Sequence, residues 1–321
     1  MDNRTSLAKY ALVIVTASSL WTCGTRFGEG TNLSDSGDLK TVSPASLIVQ
    51  NAPTPALKVL FFGDSGKGNQ EQAATAAAMT KHCASAGCDM ALLLGDNIYP
   101  VGVTSIHDKQ FQTKFEEPYK DLNLIFHVIL GNHDTYSGPA GINAELDYSN
   151  ISSKWRMPAR YYNFKEGNAE FFALDTNTLL DEAAQIQWLE DSLQASTARW
   201  KVIYGHHPIY SIGEHGTPGK SQARYRQQLE PIICKYKAVY LSGHEHLIQV
   251  NALPCGGTAI VAGAAAERTT PYEKTIKKQK DTLKFFTRDQ LGFGYATFTE
   301  DAITIDFLDE NSESLYSYRI N

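Results

Sequence analysis

Five times along the chain, a short apolar run ends near a glycine that is followed by a side chain able to bind a metal. Lys58-Val59-Leu60-Phe61-Phe62 leads into Gly63-Asp64, and Met90-Ala91-Leu92-Leu93-Leu94 leads into Gly95-Asp96. The run from Leu124 to Leu130 leads into Gly131-Asn132-His133-Asp134. Val202-Ile203-Tyr204 precedes Gly205-His206, and Val239-Tyr240-Leu241 precedes Gly243-His244-Glu245-His246. Runs of this length without polar alternation predict strands buried on both faces. Helical segments are expected between them. Residues 69–86 are Ala-rich, with Asn69 as N-cap and Gly87 as stop, and residues 181–193 and 221–236 repeat apolar side chains at helical spacing. Alternating strands and helices predict an α/β domain whose functional rim lies at the carboxyl ends of the strands. Thr258–Ala262, Gly294–Phe298 and Ile303–Phe307 have no helical pattern between them. They are expected to form a second, partly antiparallel sheet completing the same domain.

Composition narrows the classes. The 321 residues carry 29 Lys+Arg against 35 Asp+Glu, a net charge of −6, with 42% hydrophobic and 20% charged residues. This excludes a disordered chain and a coiled-coil rod. Mild acidity also argues against nucleic acid as a partner, since phosphates need a basic stripe. The N-terminus reads as an address. Arg4 and Lys9 precede an apolar stretch from Ala11 to Trp21, so residues 1–22 are expected to be an export signal. Leu20-Trp21-Thr22-Cys23-Gly24 resembles a bacterial lipobox, which implies a lipid on Cys23; an ordinary cleaved signal is the alternative. Residues 23–56, rich in Gly, Ser, Thr and Asn with Pro44, Pro53 and Pro55, read as a flexible tether, and 57–321 as one catalytic domain. The expected location is the bacterial periplasm or cell envelope, with membrane contact only through Cys23. With Cys23 set aside, Cys83, Cys88, Cys234 and Cys255 remain. Two disulfides between sequence neighbours are the simplest pairing, with a zinc site as the competing reading.

Asp64, Asp96, Asn132, His206, His244 and His246 all follow strand-like runs, so they should converge on one rim. Carboxylates, an amide oxygen and imidazoles can hold two metals about 3.5–4 Å apart, which suits phosphoryl displacement. Asp96 is the natural bridge. At this point GDSG (63–66), GDNIY (95–99), GNHD (131–134), GHHP (205–208) and GHEH (243–246) resemble the metallophosphoesterases, in that superfamily's order. Tyr99 narrows the resemblance to the purple acid phosphatases, and the stretch 211–216, Trp155, Pro158, Tyr161, 174–176 and 292–295 to the small tartrate-resistant type.

The resemblance spans residues 57–319 and implies a two-sheet β-sandwich core flanked by helices, the αββα fold. It further implies Asp64, Asp96, Tyr99 and His246 around a ferric ion, and Asp96, Asn132, His206 and His244 around divalent Fe, Zn or Mn. A phenolate is a hard anionic donor, and this independently favours Fe(III) at Tyr99. His133 and His215 match histidines that hold phosphate oxygens and protonate the leaving group, with Asp134 and Glu214 as adjacent carboxylates to orient them. The expected activity is hydrolysis of small phosphate monoesters at acidic pH by a monomer. A phosphodiesterase or nucleotide pyrophosphatase using the same centre, and a non-catalytic surface metal-binding protein, are the competing readings. His82, His107, His127 and His207 are expected to be structural.

Overall fold

A computed structural model describes residues 55–321. The expected signal, Cys23 and all but the last two residues of the expected tether lie outside them. Fourteen strands follow one another among the described residues. They are β1 (Leu57–Phe62), β2 (Met90–Leu93), β3 (Ile125–Val128), β4 (Trp155–Arg156), β5 (Tyr162–Glu166), β6 (Ala169–Ala173) and β7 (Trp200–Tyr204). β8 (Val239–Ser242), β9 (Ile248–Ala252), β10 (Thr258–Ala262), β11 (Leu283–Phe286), β12 (Phe293–Phe298), β13 (Ile303–Leu308) and β14 (Ser314–Ile320) complete the set.

Two seven-stranded mixed sheets result, in the orders β14-β13-β12-β1-β2-β3-β4 and β11-β9-β10-β8-β7-β6-β5. β2, β6, β8 and β10 are buried along their whole length, as unalternating apolar runs require. One apolar cluster joins the sheets, taking Leu60, Leu92 and Phe126 from the first and Phe171, Val202 and Ile260 from the second. The Gly63 amide donates to the Ala262 carbonyl at 2.8 Å, tying the end of β1 to the end of β10.

The C-terminal strands correct one expectation. They do not make a sheet of their own. β12 pairs antiparallel with β1, extending the first sheet, whereas β10 lies parallel to β8 in the second. Apolar composition says that a strand is buried but not beside which neighbour, because pairing partners lie over two hundred residues apart here (Leu57 faces Phe298).

The helices form where capping and spacing place them. In the helix Gln70–Ala86, the Asn69 side chain accepts from the Gln72 amide at 3.0 Å, and Gly87 takes φ 78° as the helix ends. Ala76 and Met79 on its inner side join the main core. Helices Ala183–Ala195 and Gln222–Tyr236 bring Leu189, Leu193, Leu229 and Ile233 to a second cluster with Phe172, Ile203 and Tyr240 of the second sheet. Cys83–Cys88 and Cys234–Cys255 are disulfides with Cα separations of 5.2 and 5.4 Å, so the zinc reading of these cysteines is set aside. Two such bonds mark a protein of an oxidising compartment.

Candidate metal centre

β1, β2 and β3 run parallel side by side, with Phe62 facing Leu93 and Leu93 facing Val128. β7 and β8 do the same in the other sheet, with Tyr204 facing Leu241. Their carboxyl ends are therefore level, and the residues just beyond them meet between the sheets. Asp64, Asp96 and His206 are buried there with Tyr99, while Asn132, His133, His244 and His246 are half-buried above.

The backbone at this rim is unusual. Among the described residues, six non-glycine residues have positive φ, and three of them are Asp64 (58°), Asp96 (53°) and His244 (68°). Each costs about 1–3 kcal/mol and persists only where its surroundings enforce it. They are enforced here: the Asp64 amide donates to the Gly95 carbonyl at 3.0 Å, and the His244 amide to Asp64 Oδ2 at 2.8 Å. Two glycines let the loops close this far. A Cβ on Gly131 would lie 2.1 Å from Asp96 Oδ1, and one on Gly95 would lie 2.7 Å from His206 Nδ1.

Two donor sets share one carboxylate. Around the Tyr99 hydroxyl stand Asp64 Oδ1 at 3.1 Å, Asp96 Oδ2 at 2.9 Å and His246 Nε2 at 3.2 Å. Around His206 Nε2 stand Asn132 Oδ1 at 3.0 Å, His244 Nδ1 at 3.1 Å and Asp96 Oδ1 at 3.4 Å. Asp96, His206 and His244 offer ligand atoms all within 4.8 Å of one another. All seven side chains expected to bind metal thus come together, and Asp96 turns one oxygen to each set.

The chemistry of these atoms fits cations. His206 Nδ1 donates to the Leu94 carbonyl at 2.9 Å, which leaves Nε2 of the neutral ring as a lone pair. That lone pair faces the Asn132 amide oxygen and Asp96 Oδ1, an oxygen that already accepts from the His133 amide at 2.9 Å, so acceptors meet there with no proton between them. Asp64 and Asp96 are buried, and among the described residues neither is paired with a Lys or Arg. Uncompensated buried carboxylates are costly, so the cavity calls for positive charge. Protons compete for the same atoms. Burial opposes charge on His206, but the Asp96 carboxylate outweighs it and the imidazole is pushed up to about 9. Burial, with Asp64 and Asp96 adding, raises the Tyr99 phenol far above its ordinary value. A metal at Tyr99 must therefore be acidic enough to displace a strongly held proton.

His133 and His215 flank the cluster. The His133 ring lies 4.3 Å from the Tyr99 ring, and the His215 ring 3.9 Å from that of His244. The groups that orient them differ from the adjacent carboxylates expected above. His133 Nδ1 bonds the Pro100 carbonyl at 2.6 Å, while Asp134 instead accepts from the Gly131 amide at 2.7 Å and the Ile98 amide at 2.9 Å. Asp134 clamps two loops together. Glu214 is exposed and bonds Lys220. The buried Glu245 is the residue missed: it accepts from Ser211 Oγ (2.5 Å), the His215 amide (3.0 Å) and His215 Nδ1 (3.2 Å). Its only sequence signal is an acid between two candidate ligands, pointing away from both. Glu267 was missed as well: it bonds His246 Nδ1 at 3.1 Å and Lys67, whose ammonium lies 4.5 Å above the Tyr99 ring. Of the histidines expected to be structural, His207 is buried with Nδ1 2.8 Å from Thr176 Oγ1, and His127 stacks on Phe164 with ring centroids 3.7 Å apart.

This order of strands, with metal-ligand chemistry at their level carboxyl ends, defines a class. Residues 57–247 match the calcineurin-like phosphoesterase family, and the chain belongs to it. It is 28% identical over 309 aligned residues to tartrate-resistant acid phosphatase type 5 of Sus scrofa, covering 84% of this chain and 88% of that one. Purple acid phosphatase 17 of Arabidopsis thaliana is 29% identical over 292 residues, covering 82% and 84%. The fold is shared with GAP50, the anchor in the inner membrane complex of Plasmodium, at a TM-score of 0.69 and 21% identity, covering 83% of this chain and 89% of that one. PhoD shares it at a TM-score of 0.58 and 16% identity, covering 84% and 71%.

Proposed function

We propose that this protein is an acid phosphatase that hydrolyses small phosphate monoesters at a dinuclear metal centre. The carrying observation is a single buried carboxylate, Asp96, turned to two converging sets of metal-ligand side chains. Asp64, Asp96, Tyr99 and His246 hold a ferric ion, because a phenol with two carboxylates is a hard, anionic set. Asp96, Asn132, His206 and His244 hold divalent Fe, Zn or Mn. The similarity to tartrate-resistant and purple acid phosphatases supports this pairing of fold and activity.

The metal pair, when bound, supplies Lewis-acid activation of the ester and of a water molecule. The remaining work belongs to the chain. His133 is oriented through Nδ1 by the Pro100 carbonyl, and His215 through Nδ1 by Glu245, so each keeps Nε2 for substrate. From Nε2 they hold phosphate oxygens and pass a proton to the departing alcohol, whose oxygen cannot leave uncompensated. Glu245 fixes the His215 ring through Nδ1 and steadies the 211–215 loop that carries it.

Hydrolysis of an aryl phosphate monoester and its matching diester from pH 4 to 9 tests the assignment. A monoester preference with an acidic optimum is expected from the iron-loaded chain. Diester preference or an alkaline optimum moves the protein to the phosphodiesterases, and metal binding without turnover to a surface metal-binding role. The chain further divides into a signal at 1–22, a tether at 23–56 and a catalytic body at 57–321, with a lipid on Cys23 after export. Native protein should enter a detergent phase and a Cys23→Ser variant should not; equal partitioning would refute the anchor.

A further inference from the structure

His133 has apolar company that the metal chemistry does not need. Among the described residues, the large apolar side chains left exposed are Val101 (49%), Tyr136 (60%), Ile151 and Tyr272. Such residues scattered singly carry no message. Two of these lie on the loops that carry and hold one imidazole, that of His133. Tyr136 meets the His133 ring at 5.0 Å between centroids, inclined by 62°. Val101 follows Pro100, whose carbonyl holds His133 Nδ1. The two loops touch directly: a Cβ on Gly102 would lie 2.5 Å from the Asp134 carbonyl oxygen and 2.9 Å from Ser137 Oγ. Tyr136 is also held in place, because its hydroxyl accepts from Asn132 Nδ2 at 2.8 Å. That bond points the amide nitrogen outward and leaves Oδ1 facing His206 Nε2.

We propose that Tyr136, with Val101 beside it, is the leaving-group wall of this centre, selecting phosphate esters whose alcohol carries a planar aromatic ring. An alcohol protonated by His133 departs past these side chains. A pinned, solvent-facing ring offers it a stacking surface without further ordering cost. The same phenol is a positioning residue for Asn132, keeping oxygen rather than nitrogen turned to the second metal site. This inference rests on the phosphatase reading and names its substrate class.

Calorimetric titration of the iron-loaded, full-length chain with benzylphosphonate and propylphosphonate, neither of which can be hydrolysed, tests it. The benzyl compound should bind up to about tenfold more tightly. Titrated with both metals in excess, Tyr136→Phe should keep that ratio and Tyr136→Ala should bring it close to one. A ratio unchanged in Tyr136→Ala, or lost in Tyr136→Phe with its ring intact, overturns the wall. Tyr136→Phe should also retain less of the second metal after dialysis, with its circular dichroism unchanged; full retention overturns the positioning role. If the metal-loaded wild type binds neither phosphonate, the phosphatase reading falls and takes this inference with it. If it binds both equally, only the wall fails.

Discussion

Around Tyr99 the donors are two carboxylates and a phenol with a single imidazole, whereas around His206 they are one carboxylate, an amide oxygen and two imidazoles. The supports differ in the same sense. His246 is backed by the carboxylate of Glu267, and His206 by the neutral carbonyl of Leu94. Negative charge is thus concentrated on one side of Asp96, and nitrogen donors on the other. Hard, highly charged ions prefer the first environment and ordinary divalent ions the second. The two donor sets are chemically unlike rather than a symmetric pair.

The strongest way to break this asymmetry is to remove what both sides share. Asp96→Ala should lose both metals and more than about a hundredfold in activity, since even outer partners of a metal cost 10–100-fold. Retention of either metal at full occupancy would show that Asp96 does not bridge. The next variants separate the sides. Tyr99→Phe should abolish the visible charge-transfer band of the iron form, while His206→Ala should keep the band and lose the divalent ion. A coloured Tyr99→Phe protein would remove the phenol from the first set.

A third comparison pits two glutamates against each other. Glu245→Gln should lower kcat about 10–100-fold with metal content unchanged, because His215 loses the carboxylate that orients its ring and holds its amide. Glu214→Gln, changed at an exposed ion pair with Lys220, should do less. A reversal of that order would return the orienting role to Glu214.

One further effect lies outside both sets and bears on stability rather than turnover, at His127. Burial, with Arg156 adding, pushes this imidazole down to about 4, and its Nδ1 has no hydrogen-bond partner. The unfolded chain therefore takes up the proton first as pH falls. Destabilisation begins below about 6.5 and is complete near 4, reaching about 3 kcal/mol. An acid-active enzyme works inside that window. His127→Leu should flatten the acid limb of a pH–Tm curve; an unchanged limb would place the liability elsewhere.

Much of this molecule was legible in short windows of sequence. An apolar run, a glycine and a ligand-capable residue occupy only about seven positions, and that pattern located Asp64, Asp96, Asn132, His206, His244 and His246. The helix Gln70–Ala86 was equally local, since Asn69 and Gly87 act within one turn of its ends. The cysteine pairs were close in sequence too, five and twenty-one residues apart.

What local pattern did not reveal joins distant segments. Glu245 reaches back thirty residues to His215, Glu267 reaches Lys67 across two hundred, and β10 and β12 divide between two sheets that composition alone cannot tell apart. The left-handed backbone at Asp64, Asp96 and His244 is of the same kind, held by loops from other strands. A propensity or a cap acts on neighbours a few residues away, so it can be read from order along the chain. The partner of a buried hydrogen bond is set by which loops the closed sheets bring within 3 Å, and that distance exists only once the chain has folded.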